Sequence, residues 1–152
     1  MTQSFTPGFS TAAHFVERVT SSSRQQLQES NTFGLDSALR DELATVWGQC
    51  QTPNWDGFGA LPVSAETLRN AYQFLEALPP GIPSPSVGAE PDGDLTLEWH
   101  RSPRRTLSIS VSPTGDLHFA ALFGSSRYYG TEVFFGDVPD GILDLIRRVQ
   151  PA

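Results

Sequence analysis

The hydrophobic period changes once along this chain, and that change limits the possible folds more than any other feature. In two segments up to Leu78 apolar residues recur every three or four positions; from Asp94 to the fourth strand they alternate. In Asp94 to His100, Leu95, Leu97 and Trp99 alternate with Thr96, Glu98 and His100. In Thr106 to Ser112, Leu107, Ile109 and Val111 alternate with Ser108 and Ser110. A strand with that alternation buries one face and wets the other, so these are two half-buried antiparallel strands. The linker between them, Arg101-Ser102-Pro103-Arg104-Arg105, forms a basic hairpin tip. A third strand, Leu117 to Phe123, follows Pro113-Thr114-Gly115, an order that suits a type I turn closed by a G1 bulge. A fourth, Arg127 to Phe135, carries Tyr128 and Tyr129 and is interrupted by Gly130.

Asp36 is placed to cap a helix over Ser37 to Cys50 whose buried stripe is Leu39, Leu43, Val46, Trp47 and Cys50, with Arg40, Asp41 and Glu42 turned outward. A second helix spans Ala65 to Leu78, with Ser64 as N-cap and Leu68, Ala71, Tyr72, Leu75 and Leu78 facing inward; Pro79-Pro80-Gly81 ends it. Ile82 to Gly93 is a Pro-rich crossing in which only Val87 hints at a short strand. The last helix runs from Pro139 to Val149, proline in its first turn, with Ile142, Leu143, Leu145, Ile146 and Val149 on its inner side. The order predicts an α+β fold: a four-stranded antiparallel meander with two N-terminal helices and one C-terminal helix on one face. The other face is left open.

Length adds the domain count. At 152 residues the chain is one domain's worth, assigned to residues 33 to 150. Residues 1 to 32 are poor in large apolar groups apart from Phe5, Phe9 and the cluster Phe15, Val16 and Val19, and Thr20 to Ser30 is dominated by Ser and Gln. They read as a flexible arm or a weak helix over His14 to Leu27. The net charge of -7 repels phosphate backbones and anionic headgroups, which disfavours nucleic acid and favours basic partners. Cys50 is the single cysteine, so neither an internal disulfide nor a cysteine-based metal site is expected. With no signal-peptide pattern at Met1 to Ser10 and no stretch apolar enough for a span, the sequence predicts a soluble cytoplasmic protein without a membrane anchor.

Between the first two helices lies an unusual corner, Asn54-Trp55-Asp56-Gly57-Phe58-Gly59-Ala60-Leu61-Pro62-Val63-Ser64. Trp55 and Phe58 are large anchors, the two glycines permit positive φ, and Asp56 can accept from the amides that follow it. The corner run, together with Glu90-Pro91-Asp92-Gly93 before Leu97-Glu98-Trp99, Tyr129-Gly130-Thr131 and Val138-Pro139, resembles a family of small uncharacterised bacterial proteins. The resemblance covers about Trp55 to Val149. It implies a single folded unit and a bacterial source, and it assigns no catalytic residue.

Candidate chemistry is sparse. Gly57-Phe58-Gly59 lacks the spacing and the lysine of a phosphate loop. His14, His100 and His118 show no metal-ligand spacing, so no cofactor or metal is expected. Trp55, Asp56 and Phe58 at the corner, Arg101, Arg104 and Arg105 at the hairpin tip, and Tyr128 and Tyr129 on the last strand are the candidate binding residues. The expected function is a non-catalytic module that binds a protein partner and neutralises or regulates it, as antitoxins, immunity proteins and inhibitors do. The alternative is a small enzyme on the open sheet face. There the predicted register sets Ser110 across from His118 and Glu98 across from Ser108, which brings a nucleophile, a base and an acid to one face.

Overall fold

The computed structural model of the protein describes residues 37–150. The arm over residues 1–32, its weak helix and the Asp36 cap lie outside the described residues. Within them the order is α1 (Ser37–Cys50), α2 (Ala65–Glu76), β1 (Ser86–Ala89), β2 (Leu95–Ser102), β3 (Arg105–Val111), β4 (Asp116–Phe123), β5 (Ser126–Val133) and α3 (Asp140–Val149). The strands form one antiparallel sheet in the order β1-β2-β3-β4-β5. The α+β expectation holds, but the sheet has five strands and not four. The extra strand, β1, is the stretch around Val87. Only four residues long and preceded by Pro83 and Pro85, it has too few alternating positions to be told from a loop by pattern.

Register follows the alternation. Leu97 pairs with Ile109 and Trp99 with Leu107, and on the other face Thr96 pairs with Ser110, Glu98 with Ser108 and His100 with Thr106. Ser110 pairs with His118 and Val111 with Leu117. The turn between β3 and β4 closes as expected: Gly115 has φ 91° and its amide donates to the Ser112 carbonyl. The same arrangement recurs before β2, where Gly93 has φ 97° and donates to the Glu90 carbonyl.

Leu95, Leu97, Trp99, Leu107, Ile109, Val111, Leu117 and Ala121 form the buried face, and all three helices contribute to the single core laid against it. The α1 stripe of Leu39, Leu43, Val46 and Cys50 is buried as the spacing predicted, with Trp47 half-buried. Burial without a charged neighbour pushes the Cys50 thiol up to about 11, so it is an inert core group. In α2 the Ser64 hydroxyl accepts from the Thr67 amide at 3.2 Å, a side-chain cap of the kind that stabilises a helix by ~1 kcal/mol. In α3 proline stands one place earlier than expected. Pro139 is the N-cap, and its carbonyl accepts from Ile142 and Leu143.

Glu42 departs from the expected outward orientation. It is fully buried, and its Oε2 accepts from the Val87 amide at 3.1 Å. The helical spacing put Glu42 next to the apolar stripe, and the edge of β1 supplies an amide that a carboxylate can satisfy there. The two edges of the sheet therefore differ. β1 is short, preceded by prolines and met by Glu42. β5 has eight residues, no proline and no bulge, and pairs only with β4 among the described residues.

Candidate functional site

The corner is built from the chain's own hydrogen bonds. Asp56, 3% exposed, accepts through one oxygen, Oδ1, from the amides of Phe58 at 2.8 Å and Ala60 at 3.0 Å. Asn54, the one non-glycine residue with positive φ among the described residues, accepts from the Gly59 amide and donates its own to the Ala60 carbonyl. Trp55 packs half-buried on the core, and its indole donates to the Leu61 carbonyl at 2.8 Å. The Leu61 amide in turn donates to the Pro91 carbonyl, which ties the corner to the turn before β2. Gly93 sits so close that an added Cβ would lie 3.1 Å from the Pro62 carbonyl oxygen. This frame leaves two apolar side chains in solvent: Phe58 is 69% exposed and Leu61 57% exposed.

Beside the corner the open sheet face begins with an acidic end. Glu90 accepts from Thr96 at 2.6 Å and also from Ser110. Asp94 is nearly buried at the start of the face, and its carboxyl is pushed up to about 6, first by desolvation and then by Asp92, Glu90 and Asp116, with His118 opposing. The sign follows from linkage. Because the folded pKa lies above the unfolded value of 3.8, the folded chain holds the proton more tightly, and the group's contribution to stability falls as pH rises from about 4 through about 6. Asp94→Asn is therefore expected to gain stability relative to the wild type between pH 4 and pH 7, by about 1 kcal/mol after allowance for solvent screening. Urea titrations at the two pH values measure it; a difference from wild type that does not change with pH refutes the assignment.

The predicted site residues do not form one site. Trp55, Asp56 and Phe58 lie at the corner beside the acidic end. Arg101, Arg104 and Arg105 lie at the tip between β2 and β3, at the other end of those strands, and all three are exposed. Tyr128 and Tyr129 are neighbours on β5 and so face opposite sides of the sheet. Tyr128 faces the helices, where the Arg148 guanidinium stands 4.9 Å from its ring centre and 4.2 Å from that of Phe123. Tyr129 stands on the open side, 80% exposed.

Glu98, Ser108, Ser110 and His118 share the open face, as their register requires. The hydrogen bonds run elsewhere. Ser110 donates to Glu90, while His118 Nδ1 and the Thr131 hydroxyl lie 2.9 Å apart; no bond joins Ser110 to His118. A serine nucleophile needs its hydroxyl proton aimed at a base, and here that proton is aimed at a carboxylate. Sequence reading missed Glu90. Its only sequence signal was its place in the Glu90-Pro91-Asp92-Gly93 turn, since the turn alone swings it over β2 and β3. Among the described residues no group of His, Cys, Asp and Glu is arranged to hold a metal ion, and no helix is long and apolar enough to cross a membrane.

Among the described residues a cleft lies outside this region. About 520 Å³ in volume, it opens between β5 and α3 and is lined by Phe119, Tyr128, Glu132, Gly141 and Leu145, with Arg127 and Tyr129 at the strand edge. The Phe119 ring that lines it packs over Gly130, where an added Cβ would come 3.0 Å from the ring. Comparison of the chain with protein-family models, curated proteins and solved structures returns no match.

Proposed function

We propose that this chain is a non-catalytic binding module that recognises a protein partner of basic charge, in the manner of an antitoxin, immunity protein or inhibitor. The observation that carries the reading is the corner: two exposed apolar side chains, Phe58 and Leu61, on a loop whose backbone is already fixed by Asn54, Asp56 and Trp55. Folding alone gives no reason to hold Phe58 in water on so rigid a frame. A pre-ordered apolar anchor loses little freedom on binding, which is how a small contact area reaches useful affinity. Glu90, Asp92 and Asp94 beside it, on a chain of net charge -7, suit a partner that presents arginine or lysine around an apolar pocket.

The test is affinity purification from the native host with the wild type and with Phe58→Ser/Leu61→Ser, followed by reconstitution of whatever is retained. The expected result is one stoichiometric protein, basic in charge, that binds the wild type and is weakened at least ~100-fold by the double substitution at unchanged melting temperature. A retained protein that binds both forms equally moves the site away from the corner. Retention of none by the wild type removes the reading.

A further inference from the structure

The open edge of β5 carries a pattern that its own sequence completes, and we infer that two copies of this chain pair antiparallel through β5, centred on Tyr129, to make one continuous sheet. The inference is independent of the partner reading, since purified protein suffices to test it. Backbone direction comes first. The Phe134 amide donates to the Gly115 carbonyl, toward β4, and the pairing alternates back through Glu132, Gly130 and Tyr128 to the Phe123–Ser126 pair that flanks the tight turn. The amides and carbonyls of Arg127, Tyr129, Thr131 and Val133 therefore point to the free edge. A strand added there bonds to those residues, and a symmetric one can centre on Tyr129 with Arg127 opposite the partner's Thr131.

Side chains then decide between this occupant and others. In that register, on the helix side, Tyr128 falls opposite the partner's Gly130 and Ser126 opposite the partner's Glu132. Gly130 has no side chain of its own and is covered by the Phe119 ring, 3.0 Å from where a Cβ would stand, so the partner's Tyr128 ring meets Phe119 in the cleft that Leu145 and Gly141 wall. Ser126 is the cross-strand neighbour of Phe123, and Arg148 stands over Phe123, so the partner's Glu132, opposite Ser126, arrives two strand spacings, ~10 Å, from Phe123, a gap that the long Arg148 and Glu132 side chains reach across together. Neither Glu132 nor Arg148 has an ion-pair partner among the described residues. Glu132 and Arg148 of one chain sit at opposite ends of the cleft, next to Leu117 and Phe123 respectively, so the pair forms only between copies. On the open side the two Tyr129 rings meet at the axis, which covers a side chain otherwise 80% exposed.

The strongest objection is charge, since each copy carries -7. At ~0.15 M salt the screening length is ~8 Å, so most of that field is damped while the Glu132–Arg148 contacts at the seam are not. Pairing is accordingly expected to weaken at low ionic strength.

Size-exclusion chromatography with light scattering on the full chain tests the inference. The expected mass is about 33 kDa, twice the 16.6 kDa of one chain, falling toward 16.6 kDa on dilution. Tyr129→Pro removes an amide that faces the free edge and no bond to β4, so it should hold the mass at 16.6 kDa. Should that variant fold poorly, charge reversal gives a second route. Glu132→Arg alone is expected to weaken pairing at least tenfold, and Glu132→Arg with Arg148→Glu to restore it. A wild type of single-chain mass at every concentration overturns the inference, as does a folded Tyr129→Pro that keeps the double mass or a folded double reversal that stays single.

Discussion

Trp99→Ala is expected to cost about 5 kcal/mol, most of what a domain of this size has in hand. The ring is fully buried on β2 opposite Leu107, and its indole donates to the Pro83 carbonyl at 2.8 Å. Truncation removes the packing of the largest core side chain and leaves that carbonyl without its donor, in a segment whose prolines offer few amides of their own. The melting midpoint should fall by roughly 20 °C, measurable by circular dichroism. Trp99→Phe keeps an aromatic ring and loses the hydrogen bond with a smaller part of the packing, so a smaller loss of about 1–3 kcal/mol is expected for it. If both variants melt within a few degrees of wild type, Trp99 is not the centre of the core.

Asp56→Ala is expected to cost about 2–4 kcal/mol, and Asp56→Asn under about 1 kcal/mol. The difference rests on one atom. Both amides, of Phe58 and Ala60, donate to Oδ1, and an asparagine with its carbonyl oxygen in that place accepts both. Alanine leaves the buried Ala60 amide unsatisfied and lets the corner reopen. Equal losses for the two variants in urea titrations would show that the carboxylate's charge, and not its acceptor geometry, holds the corner.

How much of this was legible before the structure depends on the range of the forces involved. Strands β2, β3 and β4 were, because alternation is local: Leu95, Leu97 and Trp99 declare their face within one segment, and register between them followed from two turns, whereas the four-residue β1 is too short to show a face. The Asp56 turn was legible too, since its hydrogen bonds span only two and four residues. Glu42 was not. Its burial depends on an amide 45 residues away, and nothing near it in the chain announces that partner. Glu90 failed for a similar reason, as its contacts with both Thr96 and Ser110 exist only once the turn lies over paired β2 and β3. Grouping Trp55, Arg104 and Tyr129 as binding residues rested on residue type, which says what a side chain can touch and not where it stands; the fold sets them at three separate places.

The unequal edges of the sheet set the valence of the subunit as a monomer. A subunit with a reactive strand at each edge is a bifunctional monomer, and step growth of such monomers has no natural end. Here the amide of Val87 is already taken by Glu42, while β5 keeps its donors and acceptors, so the subunit is monofunctional. Whatever strand β5 takes, growth terminates after one addition, and Glu42 is the chain stopper.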